Sequence, residues 1–158
     1  MDLLDRLLAH NEWTTNKLIE QSRGLTDVQL DQVFDIGLKT VRATIDHIID
    51  NIEWWTDLMN GQVQRSFESL GADPMTLDGF SKRLALVAPQ FAEVARRIQA
   101  ERRLNDKWQM REDFSESYNY GTTIIHVITH AAHHRAQLMY MLKRLGVEDV
   151  IMAHALSW

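Results

Sequence analysis

Four of the chain's seven histidines fall within nine residues: His126, His130, His133 and His134. Neutral imidazole ligates divalent transition metals and carries protons near neutral pH. Residues four apart on a helix share a face. His126, His130 and His134 therefore form a ladder, and two neighbouring rungs can hold one ion. Advancing about 100° per residue, the apolar residues Ile124, Val127, Ile128, Ala131, Leu138, Met141, Leu142 and Leu145 define the buried side of this helix. His134 lies about 50° from its centre and His130 about 90°, while His126 and His133 lie about 130° and 150° away. The inner pair, His130 and His134, thus borders the core, and the outer two look toward solvent. Gln137 falls beside the inner pair, where a residue that orients a ligand would sit.

A metal held by two histidines of one helix needs a third ligand from another. The candidates are His10 and His47, and spacing alone does not choose between them. His47 lies off the main apolar stripe of its helix, on a mixed ridge with Asn51, Trp54 and Leu58. Read singly, His10, His133 and His154 are ordinary polar or packed histidines, and Trp54 and Trp55 are core or interface residues.

Other catalytic signatures are missing from the sequence. Ala131 follows His130, so there is no HExxH glutamate to act as a metalloprotease base. No Glu-x-x-His occurs, which argues against a ferritin-like di-iron site. No glycine-rich nucleotide loop or nucleophile elbow is present. With zero cysteines, disulfides, cysteine-ligated metals and a cysteine nucleophile are excluded.

The elements that must carry these histidines are helices. Only 7 glycines and 2 prolines punctuate 158 residues, about half the usual share. The first long helix is expected from Asp2 to Gln21. Thr26 to Gln29 has capping-box spacing and predicts a short helix in the first connection. The second long helix is expected from Thr40 to Met59, ended by Asn60-Gly61. The third follows an N-cap at Thr76 and carries Leu77 to Ile98, with Pro89 expected to kink or split it. Periodicity is then lost from Asn105 to Gly121, a long connection holding Trp108, Phe114, Tyr118 and Tyr120. Connections of that length often line sites. The fourth helix runs from about Thr122 to Leu145. The pattern is all-α, a four-helix bundle with a long connection between helices 3 and 4. At this length it reads as a single helical-bundle domain over 1–158.

Charge and hydropathy restrict the partners. The 17 basic and 22 acidic residues give a net charge of −5, so nothing favours a nucleic acid. No apolar run is long enough to span a membrane. The acidic opening Met1-Asp2-Leu3-Leu4-Asp5 is unlike a secretory leader, and the expected location is cytoplasmic.

The chain resembles the DinB-like (YfiT-like) superfamily of metal-binding four-helix-bundle proteins along nearly its whole length. The resemblance rests on Asn11-Glu12-Trp13, on His47 with Glu53-Trp54-Trp55 and Gly61, and most of all on His130 to Gln137, which is similar to the family's HxxxHRGQ segment. Ala136 stands where glycine is common. The resemblance implies a divalent metal on His47, His130 and His134, zinc or nickel first and iron or manganese next. It also implies a small-molecule substrate, a low-molecular-weight thiol as cosubstrate in a transferase or isomerase reaction, and a homodimer. The alternatives it carries are a metal-dependent hydrolase and a non-enzymatic, stress-associated metal-binding bundle. Tyr118 and Tyr120 are placed to donate a hydrogen bond to an electrophilic substrate.

Overall fold

The computed structural model describes residues 1–109 and 117–158. Phe114 of the expected connection lies outside these residues. Helix α1 spans Leu3–Gln21, α2 Asp27–Leu30, α3 Val41–Met59, α4 Leu77–Ala100 and α5 Tyr120–Arg144. Two short strands, β1 (Lys107–Gln109) and β2 (Ser117–Asn119), lie between α4 and α5. The architecture is all-α apart from this hairpin.

Each helix begins where a short polar side chain can accept a hydrogen bond from an otherwise unpaired backbone N–H. Asp2 and Asp5 bond each other's backbone in a capping box at α1, and Thr26 and Gln29 do the same at α2. Thr40 accepts from the Ala43 N–H at α3, and Thr76 from the Gly79 N–H at α4. Asn119 accepts from the Thr122 N–H at 2.7 Å and starts α5.

Helix α1 packs on α4 and α5, and α3 packs on the same two. Consecutive long helices α1 and α3, and likewise α4 and α5, therefore occupy diagonal corners of the bundle. Ile45, Ile48, Ile49 and Ile52 of α3 meet Phe80, Leu84, Val87 and Phe91 of α4 and Leu138, Met141 and Leu142 of α5 in the interior, all nearly inaccessible to solvent. Burying each such side chain contributes about 1.5–3 kcal/mol. None of the described helices is long and apolar enough to cross a membrane.

Two expectations need correction. Helix α4 is not split at Pro89 but runs unbroken from Leu77 to Ala100. Pro89 and Ala85, whose carbonyl loses its helical partner, are both exposed, so water can satisfy that oxygen. Val87, Ala88, Phe91 and Ala92 hold the inner face on either side. The connection expected from Asn105 to Gly121 also carries secondary structure, at its described residues, that periodicity does not indicate. Trp108 pairs with Tyr118 in the antiparallel hairpin, and α5 starts at Tyr120 rather than Thr122. Strands of three residues are too short to leave a readable alternation.

Adjacent residues of α3 serve different neighbours because each residue turns the helix by about 100°. Asp46 faces α4, where its carboxylate accepts from Arg83 at 2.6 Å. Arg83 also grips Glu53, with contacts of 3.1 and 2.7 Å, and its guanidinium lies 4.6 Å from the centre of the Phe67 ring. His47, one position on, faces α5. The ion-pair network thus fixes the rotation of the helix that presents His47.

Candidate metal centre

His47, His130 and His134 converge across the seam between α3 and α5. One ring nitrogen from each lies within 4.8 Å of the other two, and no other such group occurs among the described residues. The ring centroids are 4.9 Å apart for His47 and His130, 4.7 Å for His47 and His134, and 4.5 Å for His130 and His134. His134 is buried, and the other two are half-buried.

The protonation pattern suits a cation. Nε2 of His47 and Nε2 of His130 face each other at 3.2 Å. At that distance at least one nitrogen must be unprotonated to accept from the other. Nδ1 of His134 lies 2.8 Å from Oε1 of Gln137. A carboxamide oxygen only accepts, so Nδ1 carries the proton and Nε2 of a neutral His134 is left with a lone pair. Burial first, then the neighbouring His134 and His47, push His130 down to about 4. Burial also lowers His134, against the opposing effect of its bond to Gln137.

These features fit a small divalent ion. Nitrogens coordinated at 2.0–2.1 Å in a tetrahedron stand about 3.3–3.4 Å apart, close to the observed separation of His47 and His130. The donor set is three imidazoles with no carboxylate in the converging group. Imidazole ligands suit zinc, nickel, iron and copper better than magnesium or calcium.

The remaining histidines separate as the helical wheel indicates. His126 and His133 are exposed. The ring of His126 still borders the centre, 5.2 Å from His130 and 5.5 Å from Trp55. His10, the other candidate third ligand, packs against Trp13 and Trp158 on the α1 side and is not part of the converging set. His154 is exposed in the C-terminal segment.

Trp55 joins the centre to the hairpin. Its ring meets Trp108 at 6.0 Å and Tyr118 at 5.9 Å. Tyr118 is thereby placed one aromatic ring away from His126. Tyr120 stacks on Trp108 at 6.0 Å, lies under Arg103, and its hydroxyl accepts from Arg103 at 3.4 Å. That engagement holds the Tyr120 ring between Trp108 and Arg103.

Two contributors escaped the sequence reading. Arg135 is buried and donates to Asn11 Oδ1 at 2.6 Å and Thr15 Oγ1 at 3.2 Å, tying α5 to α1 directly behind His134. Burial lowers its pKa to about 10, so it stays charged at neutral pH. Gly37, before α3, approaches the Gln137 side chain closely. The lone glycine between Phe34 and Thr40 was the available signal for a turn there, but nothing local pointed it at Gln137.

None of the curated proteins matches the chain. The model of the DinB family matches residues 1–156. A match of that extent spans all four long helices and the three converging histidines, and the chain belongs to the DinB family.

Proposed function

We propose that the protein binds one divalent metal through His47, His130 and His134 and uses it to transfer or isomerise a small molecule with a low-molecular-weight thiol as cosubstrate. The observation that carries this reading is the convergence of three imidazoles with no carboxylate in the group. Three ligands leave coordination positions open to small molecules, as in catalytic rather than structural sites. Zinc or nickel suits the donor set best, with iron or manganese next. A metal bound there supplies a Lewis acid that lowers the pKa of a coordinated water or thiol.

The chain's own residues favour the thiol version over hydrolysis. No glutamate follows His130 to serve as a zincin-type base. No cysteine competes for the ion, so the thiol comes from the cosubstrate. His47, His130 and His134 hold the ion, and Trp55 with His126 forms an aromatic wall beside it. Tyr118 completes that wall from β2 and is the better placed of the two tyrosines to meet a substrate.

Cobalt substitution followed by titration with small thiols tests the reading. A sulfur-to-metal charge-transfer band, together with thiol transfer to a model electrophile, supports it. A spectrum unmoved by every thiol, with no transfer, overturns it in favour of a hydrolase or a non-enzymatic metal-binding protein.

The assembly we infer is a homodimer. Leu3, Leu7, Met152, Leu156 and Trp158 remain exposed in this chain, more apolar surface at its two ends than a solitary bundle needs.

A further inference from the structure

We propose that Gln137 is a positioning residue for the metal centre and that Gly37, in the connection between α2 and α3, locks it in place. The inference rests on the metal reading above. It assigns a role to a turn that contributes no ligand.

The side chain of Gln137 is held at three points. Its Oε1 accepts from His134 Nδ1 at 2.8 Å, and its Nε2 stands 3.0 Å from His133 Nε2, to which it donates. The third constraint is steric. A methyl group on Gly37 would stand 2.0 Å from Oε1 of Gln137 and 2.5 Å from its Cδ, far inside van der Waals contact. Gly37 also has φ +46°, a left-handed conformation that side-chain-bearing residues adopt at a cost. The backbone at Gly37 therefore lies against the carboxamide, and a side chain at this position would push Gln137 out of its place.

The turn is itself fixed. The Lys39 N–H donates to the Ile36 carbonyl at 2.9 Å, and the Phe34 N–H to the Lys39 carbonyl at 2.8 Å. Phe34 and Ile36 pack on the core. Three residues after Gly37, Thr40 caps the helix that carries His47. One short segment thus sets both the start of α3 and the orientation of the Gln137 amide.

The consequence is chemical. Oε1 facing His134 holds its proton on Nδ1 and leaves Nε2 free as the donor. His130 has no counterpart, for its Nδ1 is buried without a hydrogen-bond partner among the described residues. Of the two α5 histidines, His134 is the one whose tautomer and ring plane are fixed from outside the centre. Such partners typically change metal affinity 10–100-fold.

The test has a metal-free arm and a metal arm. In the apo protein, ¹⁵N imidazole NMR should find His134 protonated at Nδ1, and Gln137→Ala should move it toward the other tautomer or a mixture. Zinc affinity should fall about 10–100-fold in Gln137→Ala and recover in Gln137→Glu, which keeps the acceptor. Gly37→Ala should also weaken zinc binding in the wild-type background but add no further loss to Gln137→Ala, where the clashing side chain is gone. Thermal unfolding of each variant separates strain at φ +46° from this effect, since strain would persist in both backgrounds. Unchanged affinity in Gln137→Ala would overturn the proposal, as would equal loss on Gly37→Ala in both backgrounds or an apo His134 protonated at Nε2. If the wild-type chain binds no zinc, nickel or cobalt yet keeps His134 protonated at Nδ1, the metal reading alone fails and the orienting role of Gln137 is upheld.

Discussion

Nε2 of His47 and Nε2 of His130 face each other at 3.2 Å across the α3–α5 seam, although 83 residues separate them in the chain. Two ring nitrogens so close, with His134 alongside, form a group that could hold a metal ion. Single substitutions His47→Ala, His130→Ala and His134→Ala should each remove bound metal, from one equivalent toward zero by elemental analysis. His126→Ala should retain it, because that exposed ring borders His130 without joining the converging set. Full occupancy in all three ligand variants would end the metal reading.

Acid should weaken the apo protein in a defined window. His130 has its pKa lowered from 6.5 to about 4, by burial first and by His134 and His47 next. As pH falls through 6.5, the unfolded chain takes up a proton that the folded chain refuses until about 4. Stability is therefore lost between these values, with no further loss from this group below about 4. Urea unfolding of apo protein across that range should show the decline, and His130→Asn should flatten it.

The Arg83 network predicts a large mutational effect far from the histidines. Arg83 and Glu53 have side chains only 2% and 4% exposed. Arg83→Met would leave Glu53 buried without its cation and should cost about 3–5 kcal/mol. The double variant Arg83→Met with Glu53→Leu should recover much of that loss, because both charges then leave the interior together. Chemical denaturation of the two variants checks this.

Pro89 offers a stabilising substitution. The exposed proline interrupts the hydrogen-bond ladder of an otherwise continuous α4. Pro89→Ala should restore the bond to the Ala85 carbonyl and raise stability by about 1–3 kcal/mol. Calorimetry should show a higher Tm with unchanged metal content.

The homodimer has a direct measurement. Sedimentation at micromolar concentration should give twice the chain mass of 18.4 kDa. A species of single-chain mass throughout would refute it.

Much of this protein was legible in its residues. The scarcity of glycine and proline, the 3.6-residue apolar stripes and the caps at Thr26 and Thr76 are local signals, and helices answer mainly to local signals. The wheel likewise separated His130 and His134 from His126 and His133, because one helix fixes the relative direction of its own side chains. The hairpin at Trp108 and Tyr118 was not legible, since three-residue strands carry no usable period. Neither was the continuity of α4 through Pro89, where packing on two neighbouring helices overrides a local breaker.

Position between helices is what only the tertiary structure decided. No pattern within α3 tells whether His47 or its neighbour Asp46 faces α5. That rotation follows from Arg83 holding Asp46 and Glu53 on the α4 side and from the isoleucines filling the core. No pattern within residues 34–40 announces that Gly37 will lie against Gln137, 100 residues later in the chain. Resemblance to a family could nominate His47 over His10, but α1 and α3 both pack on α5, and only the tertiary structure shows His47 standing opposite His130 and His134 while His10 lies against Trp13 and Trp158.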